Sequence, residues 1–385
     1  MSQQSRSMNR RTFSRLLALG CAAFPLRAPA GSTASPRLDD EMSWSGVPGV
    51  AFAHVDRTSI APTAAGLRDV AGQLPVTTST LFEAASLSKP VFAYAVLRLV
   101  ANGTLALDRA LDSYLSAPYP IGDPRAGKIT ARHVLSHTSG LPNWRHATSE
   151  PLTLAFEPGT QYRYSGEGYY FLQAVVEHVT GQSTAHLMCS TLDELGMRDS
   201  SYIWADADAA NCALPYDGVG KPLRHDTALL GQQLVVAGEA KARPLAAWTT
   251  AEALAALPSV RPAVAAVPWN AMPNVAWSLL TTAVDYARFV QALLKQPDNP
   301  MFTPVIQLSR YVWRGLGVAL QKRAGSTAFF HTGANPGFKA LMFGDFSSAR
   351  GFVSFANSDG GFPLNMQLLE DAVGLQPAIL YLEQP

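Results

Sequence analysis

Short, glycine-punctuated apolar runs at the two ends of the chain limit its architecture more than any other feature. Residues 49–55 form one such run, and four more follow Arg314, each with the length of a β-strand. Between about residues 105 and 295 the apolar residues instead recur at helical spacing. Strands at both ends with helices between them predict one antiparallel sheet that joins the two ends and packs on helices. The four later runs cover residues 315–320, 328–331, 338–343 and 351–356.

This pattern predicts an α+β fold, an α/β sandwich in which helices flank the sheet. The middle of the chain, about residues 105–295, would form a second, mainly helical lobe, and the active site would lie between the lobes. The 385 residues are 48% hydrophobic and 15% charged, which is typical of one large folded domain, here residues 31–385. Residues 31–47 read as a polar lead-in, and the Ala- and Pro-rich residues 222–270 as an insertion near the cleft mouth. The main predicted helices cover residues 86–102, 168–180, 282–294 and 364–373.

The first 30 residues have the layout of an export signal. Five arginines and no acidic residue surround the apolar residues 16–24, and Ala-Pro-Ala at residues 28–30 offers a cleavage site. The pair Arg10 and Arg11 indicates twin-arginine export, with an ordinary basic n-region as the alternative. We therefore expect a periplasmic or secreted protein. Lipid anchoring at Cys21 is disfavoured because the preceding leucine stands one place away from its lipobox position.

The chain after residue 30 shows no feature of a membrane-spanning, nucleic-acid-binding or metal-binding protein. Loss of residues 1–30 removes five positive charges, so the formal net charge changes from +1 to −4. No later stretch approaches the ~18 apolar residues that span a bilayer. The histidines lack metal-ligand spacing, and neither a metal nor another cofactor is expected. Cys189 and Cys212 would either pair in an oxidising compartment or remain two buried thiols.

A serine and a lysine three residues apart supply the first candidate for chemistry. Only Lys89 among the lysines follows such a serine, Ser86, in the sequence Ser-Leu-Ser-Lys. Chance alone produces one such match in roughly half of comparable chains, so the spacing needs support from its surroundings. On a helix the two side chains share a face, while burial and the helix N-terminus disfavour the ammonium form. A neutral Lys89 would then act as the base that activates Ser86 as a nucleophile.

Several ordered segments around this pair resemble the class C β-lactamase and penicillin-binding-protein family. Residues 82–89 read Phe-Glu-Ala-Ala-Ser-Leu-Ser-Lys, and residues 158–165 read Pro-Gly-Thr-Gln-Tyr-Arg-Tyr-Ser. Residues 129–141 contain His-Thr-Ser-Gly-Leu. The resemblance covers about residues 45–375 and implies a DD-peptidase/β-lactamase-like fold in which Ser86 is acylated. The later segments, in the family's order, are residues 195–200, 278–285, 331–338 and 357–359.

The resemblance also implies roles for residues distant from Ser86. Tyr164 matches the tyrosine of the Tyr-x-Asn motif and would be general base and acid, with its phenolate stabilised by a cation such as protonated Lys89. The backbone N–H groups of Ser86 and Ala334 would form the oxyanion hole. His137 would support its turn rather than join a Ser-His triad, which is the alternative. The implied substrate-binding residues are His331, Thr332, Gly333 and Gly166.

Two departures from the family pattern bear on the substrate. Gly166 stands where the family usually has the Asn of Tyr-x-Asn, whose amide contacts the acylamino group of β-lactams in relatives. His331 stands where β-lactamases carry the permanently charged lysine of Lys-Thr-Gly, and an imidazole of ordinary pKa near ~6.5 is mostly neutral at pH 7. Both changes weaken the hold on a penicillin-like ligand while the acylation residues persist.

The sequence therefore predicts a serine hydrolase that cleaves a carboxylic ester or a peptide-like amide through a Ser86 acyl-enzyme. A β-lactamase or D-Ala-D-Ala carboxypeptidase is the first alternative, and a catalytically silent envelope binding protein is the second. The expected partner is a small-molecule ester, β-lactam or peptide-like substrate. The variable residues 222–270 are expected to influence which acyl or leaving group is used.

Overall fold

The structure is a computed structural model that describes residues 36–145, 151–203, 210–223, 245–252, 255, 273–323, 325–374 and 376. The predicted export signal with Cys21, and most of the predicted insertion at residues 222–270, lie outside the described residues. The strands are β1 (Gly49–Asp56), β2 (Ile60–Asp69), β3 (Leu74–Pro75), β4 (Phe82–Glu83), β5 (Leu280–Thr281), β6 (Ile306–Ser309), β7 (Val312–Arg314), β8 (Ala319–Arg323), β9 (Ser326–Asn335), β10 (Phe338–Asp345) and β11 (Arg350–Ala356). The helices are α1 (Pro36–Trp44), α2 (Ser88–Ala101), α3 (Ala131–Leu135), α4 (Gly166–Thr180), α5 (Thr184–Glu194), α6 (Ala283–Leu294) and α7 (Gly361–Val373).

A single large antiparallel sheet joins the two ends of the chain. Its strand order is β3-β2-β1-β11-β10-β9-β8-β7-β6 across the described residues. The junction between the ends is the pairing of β1 with β11, in which Val50 lies opposite Ala356 and Asp56 lies opposite Arg350. Helices cover the sheet, so the predicted α+β fold with a sheet built from both chain ends is confirmed.

The central strands of the sheet are buried on both faces, and the alternation of side chains along β1 shows how. Ala51 and Ala53 point to the face that packs on α6, while Val50 and Phe52 point to the face that packs on α1 and α7. Because successive residues of a strand face opposite ways, a strand covered on both sides is apolar at almost every position. The run at residues 49–55 has this composition.

Two sequence-based assignments are wrong in detail. The polar lead-in at residues 31–47 contains α1, whose Leu38 and Met42 lie one helical turn apart and are buried against the sheet. The run at residues 315–320 is mostly a turn, and β8 begins only at Ala319. Apolar residues occur in this turn because it packs on α2: a Cβ at Gly317 would lie 2.3 Å from the Cβ of Ala93.

The middle of the chain places further helices beside the sheet. The helix predicted for residues 282–294 is confirmed as α6, and the Thr282 side chain accepts a hydrogen bond from the Asp285 N–H at 3.1 Å. The helix α4 ends as predicted at Gly181, which adopts the left-handed conformation with φ +65°. One buried apolar cluster continues from the α6 face of the sheet into these helices. The division into a sheet lobe and a helical lobe stays a prediction.

Cys189 and Cys212 occupy different environments. Cys189 is exposed on α5, whereas Cys212 is buried beside Leu81 and Leu280. The structure does not join them in a disulfide, and the alternative of two buried thiols is wrong for Cys189. In the part of the chain that the structure describes, no helix combines the length and the apolar character needed to cross a bilayer.

Candidate active site

Ser86 lies in a tight turn immediately before α2. The turn is a 3-10 segment, Ala85–Leu87, and the buried Ala85 has a φ of +50°, which an L-residue with a side chain rarely adopts. The Tyr286 hydroxyl donates to the Leu87 carbonyl at 2.8 Å and fixes the turn from α6. Strained backbone of this kind persists only where the surrounding packing enforces it, and it is concentrated at functional sites. The turn leaves Ser86 half-buried rather than enclosed.

The Lys89 side chain points back at Ser86. Its Nζ lies 3.1 Å from the Ser86 Oγ and donates to the Ala276 carbonyl at 2.8 Å. The amine is also 4.7 Å from the centre of the Tyr164 ring. Lys89 is only 1% exposed, and burial, followed by the positive charge of Arg314, lowers the pKa of this amine well below its usual range. Both effects favour the neutral, proton-accepting form of the amine over the ammonium.

Ser88, the second serine of Ser-Leu-Ser-Lys, connects this turn to the segment that carries Ala276. Its hydroxyl donates to the Ala85 carbonyl at 2.6 Å and accepts from the Leu279 N–H at 3.0 Å. The neighbouring strands β4 and β5 pair, with Glu83 opposite Leu280. These bonds bring the Ala276 carbonyl to Lys89. No pattern in the sequence indicates this role, because the partner lies about 190 residues away along the chain.

Tyr164 lies between Lys89 and a buried histidine. The His137 ring stacks on the Tyr164 ring, with centroids 4.2 Å apart and planes 26° apart. The Nδ1 of His137 accepts from the Ser165 N–H at 3.1 Å, and burial lowers the pKa of this imidazole well below its usual range. His137 therefore offers Tyr164 a neutral flat surface and holds the backbone beside it. This geometry fits the structural role that the resemblance implied.

Strand β9 approaches the turn that bears Ser86 closely because of Gly333. A Cβ at this position would lie 2.5 Å from the Ala84 carbonyl oxygen, so only glycine allows the approach. Asn335 pairs with Phe338 across a two-residue loop, which makes them a hydrogen-bonded pair. The N–H of the preceding residue, Ala334, then points away from β10. Thr332 is half-buried and Ala334 exposed, so both are accessible to a ligand.

His331 faces the interior, where a buried arginine contacts it. The Nε2 of His331 lies 3.4 Å from Nη2 of Arg314, and its Nδ1 lies 2.7 Å from the Thr332 carbonyl oxygen. Since a guanidinium only donates, Nε2 accepts and Nδ1 carries the proton. Burial and the charge of Arg314 lower the pKa of His331 well below its usual range, so the ring is neutral. Arg314 thus supplies a positive charge near the position where the family has a lysine. Because Arg314 is only 1% exposed, its charge influences the neighbouring groups electrostatically rather than by contact with a ligand.

The contact of Arg314 with His331 was not predicted from the sequence. Arg314 ends β7, and the pairing of β7 with β8 and of β8 with β9 brings it to His331, 17 residues further along the chain. Only the strand register could have indicated this contact. Gly166, by contrast, lies where its motif predicts, at the start of α4 and two residues after Tyr164.

The structure thus gathers the predicted acylation residues in one place. Lys89 contacts both Ser86 and the Tyr164 ring, and the rings of Tyr164 and His331 have centroids 6.3 Å apart. The catalytic and binding roles of these residues stay predictions. Among the described residues, no group of three His, Cys, Asp or Glu side chains is arranged to hold a metal ion.

Comparisons with curated proteins find both esterases and penicillin-binding proteins. The chain is 35% identical to Esterase EstB of Burkholderia gladioli over 193 residues, which cover 42% of this chain and 48% of EstB. It is 32% identical to Penicillin-binding protein 4* of Bacillus subtilis over 147 residues, 33% of this chain and 31% of that protein. The aligned part of the chain thus spans half or less of the length of these relatives.

Solved structures and a family model match far more of the chain. The structure described as D-alanine carboxypeptidase AmpC from Burkholderia cenocepacia superposes with a TM-score of 0.63 at 19% identity. The match covers 87% of this chain and 99% of that one, and at this identity it shows the shared fold alone. The model of the family described as Beta-lactamase matches residues 37–373, nearly the whole described chain. The chain therefore belongs to the beta-lactamase family.

Proposed function

We propose that this protein is a serine hydrolase that cleaves a carboxylic ester or a peptide-like amide through an acyl-enzyme on Ser86. The observation that carries the proposal is the 3.1 Å contact between the Lys89 Nζ and the Ser86 Oγ, made by an amine that is buried away from solvent. A neutral amine within hydrogen-bond reach of a hydroxyl is the arrangement that general-base activation of a nucleophile requires.

Acylation would begin at Ser86. Its Oγ forms a bond to the substrate carbonyl carbon while its proton passes to the Lys89 Nζ, and the carbonyl π electrons move onto oxygen. The N–H groups of Ser86 and Ala334 would stabilise this oxyanion by about 3 kcal/mol each. The Gly333 close approach supports this assignment, because it brings β9 against the turn that bears the nucleophile. Collapse of the intermediate breaks the bond to the leaving group.

Tyr164 would transfer protons between Lys89 and the leaving group. The ammonium formed on Lys89 lies 4.7 Å from the Tyr164 ring and favours the phenolate. The phenol can therefore give its proton to the departing alkoxide or amine and take one back from Lys89. In deacylation the route reverses: water loses a proton to this pair, attacks the acyl carbon, and Ser86 leaves with the proton from Lys89.

We favour esters over β-lactams because two positions that would hold a β-lactam differ from the family pattern. Gly166 has no amide to contact an acylamino group, and the neutral His331 cannot attract a substrate carboxylate as a lysine does. The similarity to a protein named Esterase EstB supports the same preference. A β-lactamase or D-Ala-D-Ala carboxypeptidase, favoured by the penicillin-binding-protein relatives, remains the rival activity.

Turnover of a p-nitrophenyl ester and of nitrocefin by the same preparation tests the preference. The wild-type kcat/KM for a short p-nitrophenyl ester is expected to exceed that for nitrocefin by at least about tenfold, the effect of losing one good polar contact. The Ser86→Ala variant supplies the blank for both substrates. Faster turnover of nitrocefin would reject the ester preference, and no turnover of either would favour the silent envelope binding protein.

A further inference from the structure

Two tryptophans adjoin the two segments that contact Lys89. Trp277 directly follows Ala276, whose carbonyl accepts from the Lys89 Nζ, and Trp144 adjoins Gly166, two residues after Tyr164. The two indoles pack on each other, with centroids 5.8 Å apart and planes tilted by 41°. Both residues are half-buried, so part of each remains accessible. They form a pair that we name the Trp144–Trp277 wall.

Trp144 fills the space that a side chain at position 166 would need. A Cβ on Gly166 would lie 2.2 Å from Cζ2 of Trp144 and 2.4 Å from its Cη2. No side chain at position 166 fits unless the indole moves. The position that holds a polar amide in the family pattern is therefore occupied here by an aromatic ring reaching in from another segment.

The wall is fixed to α4 by hydrogen bonds on both sides of Trp144. The Asn143 carbonyl accepts from the N–H groups of Gly166 and Glu167 at 3.0 and 2.9 Å. The Glu167 carboxylate accepts from the Arg145 N–H and from its Nε, at 3.0 and 3.1 Å, in an ion pair that is nearly buried. Because both chain neighbours of Trp144 are held, its backbone loses little further freedom when a ligand packs on the indole, which favours binding.

We propose that the Trp144–Trp277 wall is an apolar subsite for the acyl group of the substrate, and that it selects flat or aromatic acyl groups over small ones. The inference rests on the proposed Ser86 acyl-enzyme. Contact between an indole and another aromatic ring is stabilised by the apolar area that it buries and by the favourable arrangement of the two rings. A methyl group buries little area and has no ring to stack. An acylamino group would find an aromatic surface here instead of the amide that position 166 lacks, so its desolvation would be poorly compensated.

Boronic acids test this subsite without knowledge of the natural substrate. The Ser86 Oγ would add to boron, which takes the position of the carbonyl carbon, so the carbon substituent on boron lies where the acyl group lies. Phenylboronic and methylboronic acid are compared by their competition against fluorophosphonate labelling of Ser86. In the wild type, phenylboronic acid is expected to bind at least about tenfold more tightly, a difference that one aromatic contact and its buried area can provide.

Substitutions on and away from the wall decide the interpretation. Trp144→Ala is expected to reduce the phenyl preference to about threefold or less, and Gly166→Ala, which pushes the indole aside, is expected to reduce it as well. Trp44→Ala is the matched control, because Trp44 is 82% exposed on α1, and it should keep the wild-type ratio. An unchanged ratio in Trp144→Ala, or in Gly166→Ala if the first variant does not fold, would overturn the inference. Failure of fluorophosphonate to label wild-type Ser86 would instead reject the proposed function itself.

Discussion

Replacement of Lys89 by methionine is expected to lower kcat for a short p-nitrophenyl ester by about 10⁴-fold, since a nucleophile and its base act as a unit. Methionine fills the same buried space without an amine, and the buried amine that it replaces is costly to desolvate. The protein should therefore stay folded while Ser86 loses its base. Steady-state kinetics, with the thermal unfolding midpoint as a check on folding, measure both quantities.

Lys89→Arg is the control that separates base from charge. A guanidinium places a permanent positive charge beside Tyr164 but cannot accept a proton at neutral pH. If Lys89 serves as a base, this variant is as inactive as Lys89→Met. An arginine variant with near-wild-type kcat would contradict the role of Lys89 as a base. The activity of the wild-type protein should also decline as the pH falls, because the Lys89 amine then takes up a proton.

Tyr164→Phe is the second large effect, with an expected loss in kcat of about 10²- to 10⁴-fold, the usual contribution of a proton-transferring side chain. The phenyl ring preserves the stacking on His137 and the contact with the Lys89 amine, so only the hydroxyl is removed. A single-turnover assay with a p-nitrophenyl ester would locate the loss in acylation, deacylation or both. The leaving p-nitrophenolate needs little protonation, so the loss should be larger for an alkyl ester than for this one.

The neighbouring Tyr162 provides a matched control for that substitution. It lies edge-on to His137, with ring centroids 6.2 Å apart, and its position on the chain differs by only two residues. Tyr162→Phe is expected to retain wild-type kcat within about threefold, as substitutions away from the chemistry usually do. Equal losses in both variants would mean that the hydroxyl of Tyr164 has no special part in proton transfer.

The sequence predicted the architecture well because the sheet is covered on both faces. Strands such as β1 and β11 are then apolar at nearly every position and stand out as short runs. The same rule misled at residues 315–320, where a turn is apolar because it packs on α2. The helix α1 escaped notice because two buried residues, Leu38 and Met42, are all that mark its apolar face.

In the site, contacts within one helix could be predicted from the sequence, whereas contacts between distant parts of the chain could not. Ser86 and Lys89 could be paired from sequence because helical spacing alone brings them together. The contact of Arg314 with His331 could not, because it depends on the register of three strands. Nor could the position of Trp144 against Gly166, which depends on a loop folding onto the start of α4. The sequence shows that position 166 lacks a side chain, but it does not show that the Trp144 ring occupies that space.

The position of Arg314 changes the interpretation of the histidine that replaces the family's lysine at position 331. From sequence alone, the substitution of histidine for lysine removes a permanent positive charge from the site. The structure places such a charge, on Arg314, 3.4 Å from the His331 Nε2 but buries it away from solvent. Burial in the first place, and this charge in the second, lower the pKa values of both Lys89 and His331. The charge thus favours the base form of Lys89 while leaving the ligand-facing side of β9 uncharged.

Covalent labelling followed by intact-mass measurement shows whether Ser86 is an activated nucleophile. A fluorophosphonate reacts when an activated serine oxygen bonds to phosphorus and fluoride leaves, so it reports activation of Ser86 independently of the natural substrate. We expect one adduct on the wild-type protein, located to Ser86 by peptide mapping, and none on Ser86→Ala. No adduct on the folded wild-type protein, or an adduct that persists in Ser86→Ala, would contradict this expectation.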